Sequence, residues 1–185
     1  KALFSAIDTR KIKTNPIIVE LVRIGYFQHS PERRDVKCLA KQIVSYDSKH
    51  NLVIHIRGGD LLKIAGGGVY GILGENYYKK SILRINELGA QIDNISIITD
   101  DKEYANSFNL SAKGVEKPNI ICCNLSDTLA IAVGADWFIS SNSTLSYWIV
   151  KLKGGTGCVV PEPFQKVSDF SLPEKCMRVP AEFKN

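Results

Sequence analysis

Residues 51–57 read Asn-Leu-Val-Ile-His-Ile-Arg, a short apolar segment rich in branched side chains, and they predict a buried strand. Similar segments follow along the chain, separated by stretches whose apolar residues have helical spacing. The predicted strands are 51–57, 95–99, 119–123, 137–140 and 158–160, and the predicted helices are 75–88, 102–108, 127–134 and 145–152. Strands that are apolar on both faces and alternate with helices are typical of parallel sheets built from βαβ units. The sequence therefore predicts an α/β fold with flanking helices.

Less regular sequence lies on both sides of this alternating region. Residues 1–45 contain a strand-like stretch at 17–27 and a helical pattern at 36–44, whereas residues 165–185 show no clear element. We interpret 1–45 as a linking segment from another lobe, 46–164 as the ligand-binding domain and 165–185 as a C-terminal tail. The first residue is Lys1 and no signal peptide precedes the domain, so we expect a piece of a longer protein.

The composition is that of a folded globular protein. The 185 residues are 44% hydrophobic and 23% charged, which excludes a disordered or collagen-like chain. No apolar run approaches the roughly 18 residues that cross a bilayer. The net charge is +5, but the lysines and arginines are scattered, which disfavours a nucleic-acid partner. We expect a cytoplasmic protein in a bacterial setting, with peripheral association at the inner membrane as an option.

The five cysteines form neither a disulfide framework nor a zinc motif, because their number is odd and no C-x-x-C is present. Cys122 and Cys123 are predicted to be buried thiols in an apolar run. A reducing compartment is therefore favoured, and the four N-x-S/T sequons are interpreted as unused. No G-x-G-x-x-G follows a strand and no G-x-S-x-G is present, which disfavours a dinucleotide oxidoreductase and a serine hydrolase.

Polar residues cluster at three predicted strand ends, where parallel α/β sheets bind ligands. The first cluster is residues 55–60, His-Ile-Arg-Gly-Gly-Asp. The Arg57 guanidinium offers a bidentate fork for a phosphate, and the glycines let backbone N–H groups approach the anion. An equally weighted alternative is structural: Arg57 pairs with an aspartate to brace the turn, and His55 is hydrogen-bonded in the core.

The second and third clusters also combine polar residues with a following helix. Asp100 and Asp101 end the strand 95–99, and a carboxylate there could bind a ribose hydroxyl, an arginine or a metal. The alternative for one of them is to cap the next helix. Residues 140–146, Ser-Ser-Asn-Ser-Thr-Leu-Ser, place hydroxyls at a helix N-terminus, which is an anion site or a simple cap. Together with Arg57, this third cluster would hold a diphosphate from two sides.

Taken in order, five motifs resemble the alpha-1,2-fucosyltransferases of glycosyltransferase family 11. They are Gly25-Tyr26-Phe27-Gln28, the H-x-R-x-G-D motif at 55–60, Tyr77-Tyr78-Lys79-Lys80, Thr99-Asp100-Asp101 and the N-S-T-L-S-Y-W motif at 142–148. The resemblance covers about residues 24–164 and implies the Rossmann-like, C-terminal donor lobe of a GT-B glycosyltransferase. It further implies a metal-independent enzyme that transfers L-fucose from GDP-fucose to a hydroxyl of a surface glycan or lipopolysaccharide, with inversion and an α-1,2 linkage.

The resemblance also implies roles for residues around the phosphates. Arg57 would contact the β-phosphate and stabilise the departing GDP, which is the largest catalytic effect such a lobe can supply. Asn142, Ser143 and Thr144 would hold the phosphates at the helix N-terminus. Asp60 is a candidate general base.

The remaining roles concern the nucleoside. Asp127 lies where related fucosyltransferases place an acid that contacts guanine. Asp100 is a candidate for the nucleotide pocket, and His55 would shape that pocket or contact the ribose.

The sequence also departs from the family pattern. Gly58 stands where the family has a second arginine, and Leu145 and Tyr147 replace a phenylalanine and a tryptophan. The N-terminal lobe with its glycine-rich opening, which is expected to hold much of the acceptor site, has no counterpart in this sequence. The alternatives are therefore a nucleotide-sugar-binding lobe without catalysis, or a GT-B enzyme for another nucleotide sugar.

Overall fold

The computed structural model describes residues 50–64, 71–115, 117–123, 125–165 and 171–184. The strands are β1 Asn51–Ile56, β2 Ile72–Leu73, β3 Asn94–Thr99, β4 Asn119–Ile121, β5 Trp137–Ile139, β6 Cys158–Glu162, β7 Met177–Pro180 and β8 Phe183–Lys184. The helices are α1 Glu75–Glu87, α2 Lys102–Asn106, α3 Leu125–Gly134 and α4 Thr144–Leu152. The predictions for 1–45, including the first fucosyltransferase-like motif, lie outside the described residues.

Six of the strands form one parallel sheet in the order β4-β3-β1-β5-β6-β7. From β1 the chain builds outward through β3 to β4, and it then returns to the other side of β1 and builds outward from β5 to β7. This is the doubly wound, Rossmann-like order, and it confirms the predicted α/β fold class. In such sheets the direction of winding changes between the two central strands, here β1 and β5, and a crevice opens at their carboxyl ends.

Two apolar cores cover the two faces of the sheet. On one face Ile54 of β1 belongs to a cluster with Tyr77 and Ile82 of α1. On the other face Val53 belongs to a cluster with Leu129 of α3 and with residues of α4. All six residues of β1 are buried, which explains why the sequence of this strand is mostly apolar instead of alternating between apolar and polar residues.

The expectation that the C-terminal tail has no regular element is wrong for residues 171–184. β7 pairs in parallel with β6 and places Val179 in the core at 5% exposure. β8 pairs antiparallel with β2 and so returns the chain to the loop that precedes α1. Both segments are short, and Pro180 is tolerated because β7 lies at the sheet edge, where a missing N–H breaks no ladder hydrogen bond.

The prediction of buried thiols fails for Cys122. β4 ends at Ile121, one residue before it, so Cys122 lies in the turn to α3 and is exposed, while Cys123 is partly buried. Cys158 and Cys176 are buried, and all four are free thiols. None of the helices in the described part of the chain is long and apolar enough to span a membrane.

Candidate functional site at the carboxyl ends of β1 and β5

The carboxyl ends of β1 and β5 lie side by side in the middle of the sheet. Leu52 pairs with Trp137 and Ile54 with Ile139, so the two strands run in register toward the same edge. β1 leads into residues 57–60, and β5 leads into 140–143, which precede the N-terminus of α4. Two of the three predicted polar clusters are therefore neighbours at the point where the winding direction changes.

His55, in β1, is hydrogen-bonded to serines of the segment that follows β5 and so links the ends of the two strands. Its imidazole is 3% exposed, and Nδ1 lies 2.7 Å from Ser146 Oγ and 3.3 Å from Ser141 Oγ. Burial, together with the positive charge of Arg57, lowers the pKa of His55 to about 3. The ring is therefore neutral near pH 7. Ser146 Oγ also accepts the Ser141 N–H at 3.0 Å, so this hydroxyl joins the loop after β5 to the histidine. The structure therefore matches the alternative in which His55 is a hydrogen-bonded residue of the core.

Arg57 lies between two carboxylates. Its Nη1 is 2.6 Å from Asp100 Oδ2, and its Nη2 is 2.5 Å from Asp60 Oδ1. Asp100 Oδ1 also accepts a hydrogen bond from the Gly58 N–H at 2.9 Å, which links the end of β3 to the loop after β1. The turn-bracing arginine–aspartate pair is thus present. About a third of the Arg57 side chain (32%) stays exposed to solvent.

Asp101 has the capping role that the sequence left open for one of the two aspartates. Its side chain accepts a hydrogen bond from the Tyr104 N–H at 2.9 Å at the start of α2. The two neighbouring carboxylates therefore have different partners: Asp100 contacts Arg57, and Asp101 caps α2.

In the third cluster, residues 140–146, some of the polar side chains make hydrogen bonds within the protein. Ser143 caps α4, because its Oγ accepts the Ser146 N–H at 3.2 Å. Asn142 is 2% exposed, and its Nδ2 donates to the Gly71 carbonyl at 3.1 Å, which fixes the loop before β2. Thr144, in the first turn of α4, is exposed. Of the three predicted phosphate-holding residues, Thr144 is therefore the one at the surface.

Asp127 lies farther along the same edge. It is in the first turn of α3, which follows β4, and it is partly buried. α3 packs against α4, and both helices follow parallel strands, so their N-termini point to the same edge. Because one strand separates β4 from β1, the carboxyl ends of these two strands are roughly two strand spacings, or about 10 Å, apart.

The absence of side chains at Gly58 and Gly59 shapes the arginine site. A Cβ on Gly58 would lie 2.8 Å from Tyr104 Cδ1 and 2.9 Å from Asp101 Cβ, so the second arginine of the similar family has no room here. Gly59 has φ +37°, and a Cβ there would collide with Asp100 Oδ2, the atom paired with Arg57. These glycines allow β1 and β3 to bring Arg57 and Asp100 together.

Gly59→Ala should destabilise the protein by about 2–4 kcal/mol, since it combines left-handed backbone strain with an overpacked contact. The matched control is Gly89→Ala, because Gly89 has φ +73° and a Cβ added there would meet no atom within 4 Å. Gly89→Ala should cost only the backbone strain, about 1–2 kcal/mol. Denaturant unfolding of both variants measures the difference, and equal losses would remove the close contact with Asp100 as a cause.

The sequence analysis includes Ser141 and Ser146 in the third cluster but gives them no individual role, although they carry the link between His55 and α4. A signal was present, because Ser146 follows the cap Ser143 by three residues and so points to the same side of the helix start. Among the described residues, no group of three or more His, Cys, Asp or Glu side chains could hold a metal ion.

No protein-family model and no curated protein matches the sequence. Solved structures of POFUT1 are similar in fold. One, in complex with GDP, gives a TM-score of 0.45 at 14% identity over 77% of this chain and 46% of the POFUT1 chain. Another, in complex with GDP-fucose, gives 0.45 at 12% identity over 77% and 45%. The chain thus spans less than half the length of these structures, and the likeness concerns the fold alone.

Proposed function

We propose that this chain is the nucleotide-sugar-binding domain of a fucosyltransferase, with GDP-fucose as its donor. The observation that carries the proposal is the position of Arg57. Its partly exposed side chain follows β1, which lies next to β5 where the sheet reverses its winding; β5 leads to the N-terminus of α4, and doubly wound folds bind their nucleotides in that crevice. The fucosyltransferase-like motifs at 55–60 and 142–148 supply these same two strand ends, which favours a sugar nucleotide over other phosphate ligands.

The diphosphate of the donor would lie between Arg57 and the start of α4. A guanidinium binds phosphate oxygens through two parallel N–H bonds, and a helix N-terminus adds backbone N–H groups with a favourable dipole. The exposed Thr144 hydroxyl lies in the first turn of that helix. Ser143, Asn142 and His55 would act indirectly in this arrangement, since their hydrogen bonds to Ser146 and to the Gly71 carbonyl hold the loop and the helix in place.

The guanine base would extend along the edge toward α3. The offset of roughly 10 Å between the ends of β1 and β4 suits a nucleotide whose diphosphate is at one end and whose base is at the other. Asp127, in the first turn of α3, would accept hydrogen bonds from the N1–H and the amino group of guanine. Uracil offers only one such donor, so this contact would favour GDP over UDP.

The proposed reaction is the attack of an acceptor hydroxyl oxygen on C1 of the fucose. The bond between C1 and the β-phosphate oxygen breaks, its electron pair leaves with GDP, and the acceptor proton passes to a base. Arg57 would stabilise the negative charge that develops on the diphosphate, without a metal. Asp60, 66% exposed beside Arg57, stays the candidate base. Transfer to a glycan with an α-1,2 linkage and inversion is the finer part of this proposal.

Calorimetric titration of the 185-residue chain with GDP, in the presence of EDTA, tests the proposal. We expect GDP to bind at least about tenfold more tightly than UDP, the difference that one hydrogen bond to a charged acceptor supplies. Equal affinities would favour a GT-B enzyme for another nucleotide sugar. A folded chain that binds neither nucleotide would contradict the proposal. Binding of GDP-fucose without transfer of fucose to any glycan would favour the alternative of a nucleotide-sugar-binding lobe without catalysis.

A further inference from the structure

The two carboxylates beside Arg57 differ in their exposure to solvent and in the number of their contacts. Asp100 follows β3 directly, its side chain is 28% exposed, and its two oxygens contact Arg57 Nη1 and the Gly58 N–H. Asp60 lies three residues after Arg57 in the loop, its side chain is 66% exposed, and its Oδ1 contacts Arg57 Nη2. Exposed ion pairs contribute little to stability, because water screens the charges and the side chains lose freedom. Asp60 is therefore the partner that a ligand can replace.

We propose that Asp100 is a positioning residue that holds the Arg57 guanidinium through Nη1, and that the diphosphate of the donor displaces Asp60 from Nη2. This inference rests on the proposed function and assigns opposite effects to two neighbouring aspartates. A diphosphate carries at least two negative charges, so its approach to a guanidinium that kept both carboxylates would be repulsive. Release of Asp60 into solvent frees one face of the fork and lowers that repulsion.

The backbone around Gly59 supports the permanent role of Asp100. Gly59 has φ +37°, and a Cβ at this position would occupy the space of Asp100 Oδ2. A side chain at residue 59 would thus push the Asp100 carboxylate away from Arg57. The Asp60 contact has no comparable constraint in the described part of the chain, since it joins two side chains of the same loop.

Asp60→Asn and Asp100→Asn test the inference by titration with GDP, inorganic pyrophosphate and guanosine. Asp60→Asn should raise GDP affinity about two- to fivefold, the equivalent of removing an exposed competing ion pair. Asp100→Asn should lower it about tenfold or more, because Arg57 loses its fixed charged partner. The asparagine can still accept the Gly58 N–H, so the fold should be kept. Guanosine affinity should not change in either variant, which separates positioning of the guanidinium from general damage.

The matched control is Glu103→Gln, which removes the same charge from an exposed position in the first turn of α2. Its GDP affinity should stay within about twofold of wild type, because the charge is exposed and screened by solvent, and the ion pairs of Arg57 are with Asp60 and Asp100. Loss of GDP affinity in Asp60→Asn, or unchanged affinity in Asp100→Asn, would overturn the inference while leaving the proposed function intact. If the wild type binds pyrophosphate but not GDP, the proposed function fails, and the pyrophosphate affinities of the two variants still decide the inference. If it binds neither, both fail.

Discussion

Arg57→Ala is expected to lower the affinity for GDP by about 100-fold, which corresponds to the loss of charge-assisted hydrogen bonds to the diphosphate. A second effect acts in the same direction. Without the guanidinium, Asp60 and Asp100 are left facing the diphosphate with their charges uncompensated. Arg57→Lys should lose about tenfold, because an ammonium keeps the charge but lacks the planar fork. Calorimetric titration with GDP measures both variants, and guanosine titration isolates the contribution of the phosphates.

Arg84→Ala is the matched control for Arg57→Ala. Arg84 on α1 also pairs with an acid three residues later, Glu87, at 2.9 Å, and both of these side chains are exposed. Its replacement removes the same charge and the same kind of local ion pair, so GDP affinity should match that of the wild type. If Arg57→Ala binds GDP as well as Arg84→Ala does, the diphosphate does not lie at the end of β1, and the proposed site would have to be abandoned.

The sequence predicts the main elements well because burial on both faces makes the central strands conspicuous. The pattern at 51–57 predicts a strand, and β1 is Asn51–Ile56 with every residue buried. The strands β2 and β8 cannot be predicted in this way. Each has two residues, too few for any periodicity, and they exist because Leu73 pairs with Phe183, which is far away along the chain. Such pairing is a property of the tertiary fold.

In the candidate site, too, contacts between residues close in sequence can be predicted, whereas contacts between residues far apart in sequence cannot. The Arg57–Asp60 contact spans three residues, and the sequence predicts an arginine–aspartate pair as the alternative to a phosphate site. The contact with Asp100 depends on the register of β1 and β3, in which Ile56 pairs with Thr99 and brings the two loops together. The contact between His55 and Ser146 spans 91 residues and depends on β5 lying next to β1. Without the strand order, neither partner can be chosen from the many polar residues available.

His55 should make the stability of the protein strongly dependent on pH. The pKa of His55 is about 3 in the folded protein, against an ordinary value of 6.5, because burial and the charge of Arg57 disfavour the protonated ring. A lowered pKa means that the unfolded chain takes up the proton first, so the contribution is complete above pH 6.5 and is lost as pH falls toward 3. Between pH 7 and pH 4.5 we expect the free energy of unfolding to fall by about 2–3 kcal/mol from this group. Denaturant unfolding across that range measures it.

His55→Asn should remove most of this pH dependence, because the amide can hydrogen-bond to Ser146 in place of Nδ1 but takes up no proton. His50→Asn is the control: His50 is exposed and contacts Asp93 at 3.2 Å. The hydrogen bonds from Gln91 and His50 lower the pKa of Asp93 from its ordinary value. His50→Asn should therefore keep the steep wild-type slope. A wild-type slope in His55→Asn would show that the buried imidazole is not the group that titrates, and that the link between β1 and α4 tolerates a charged ring.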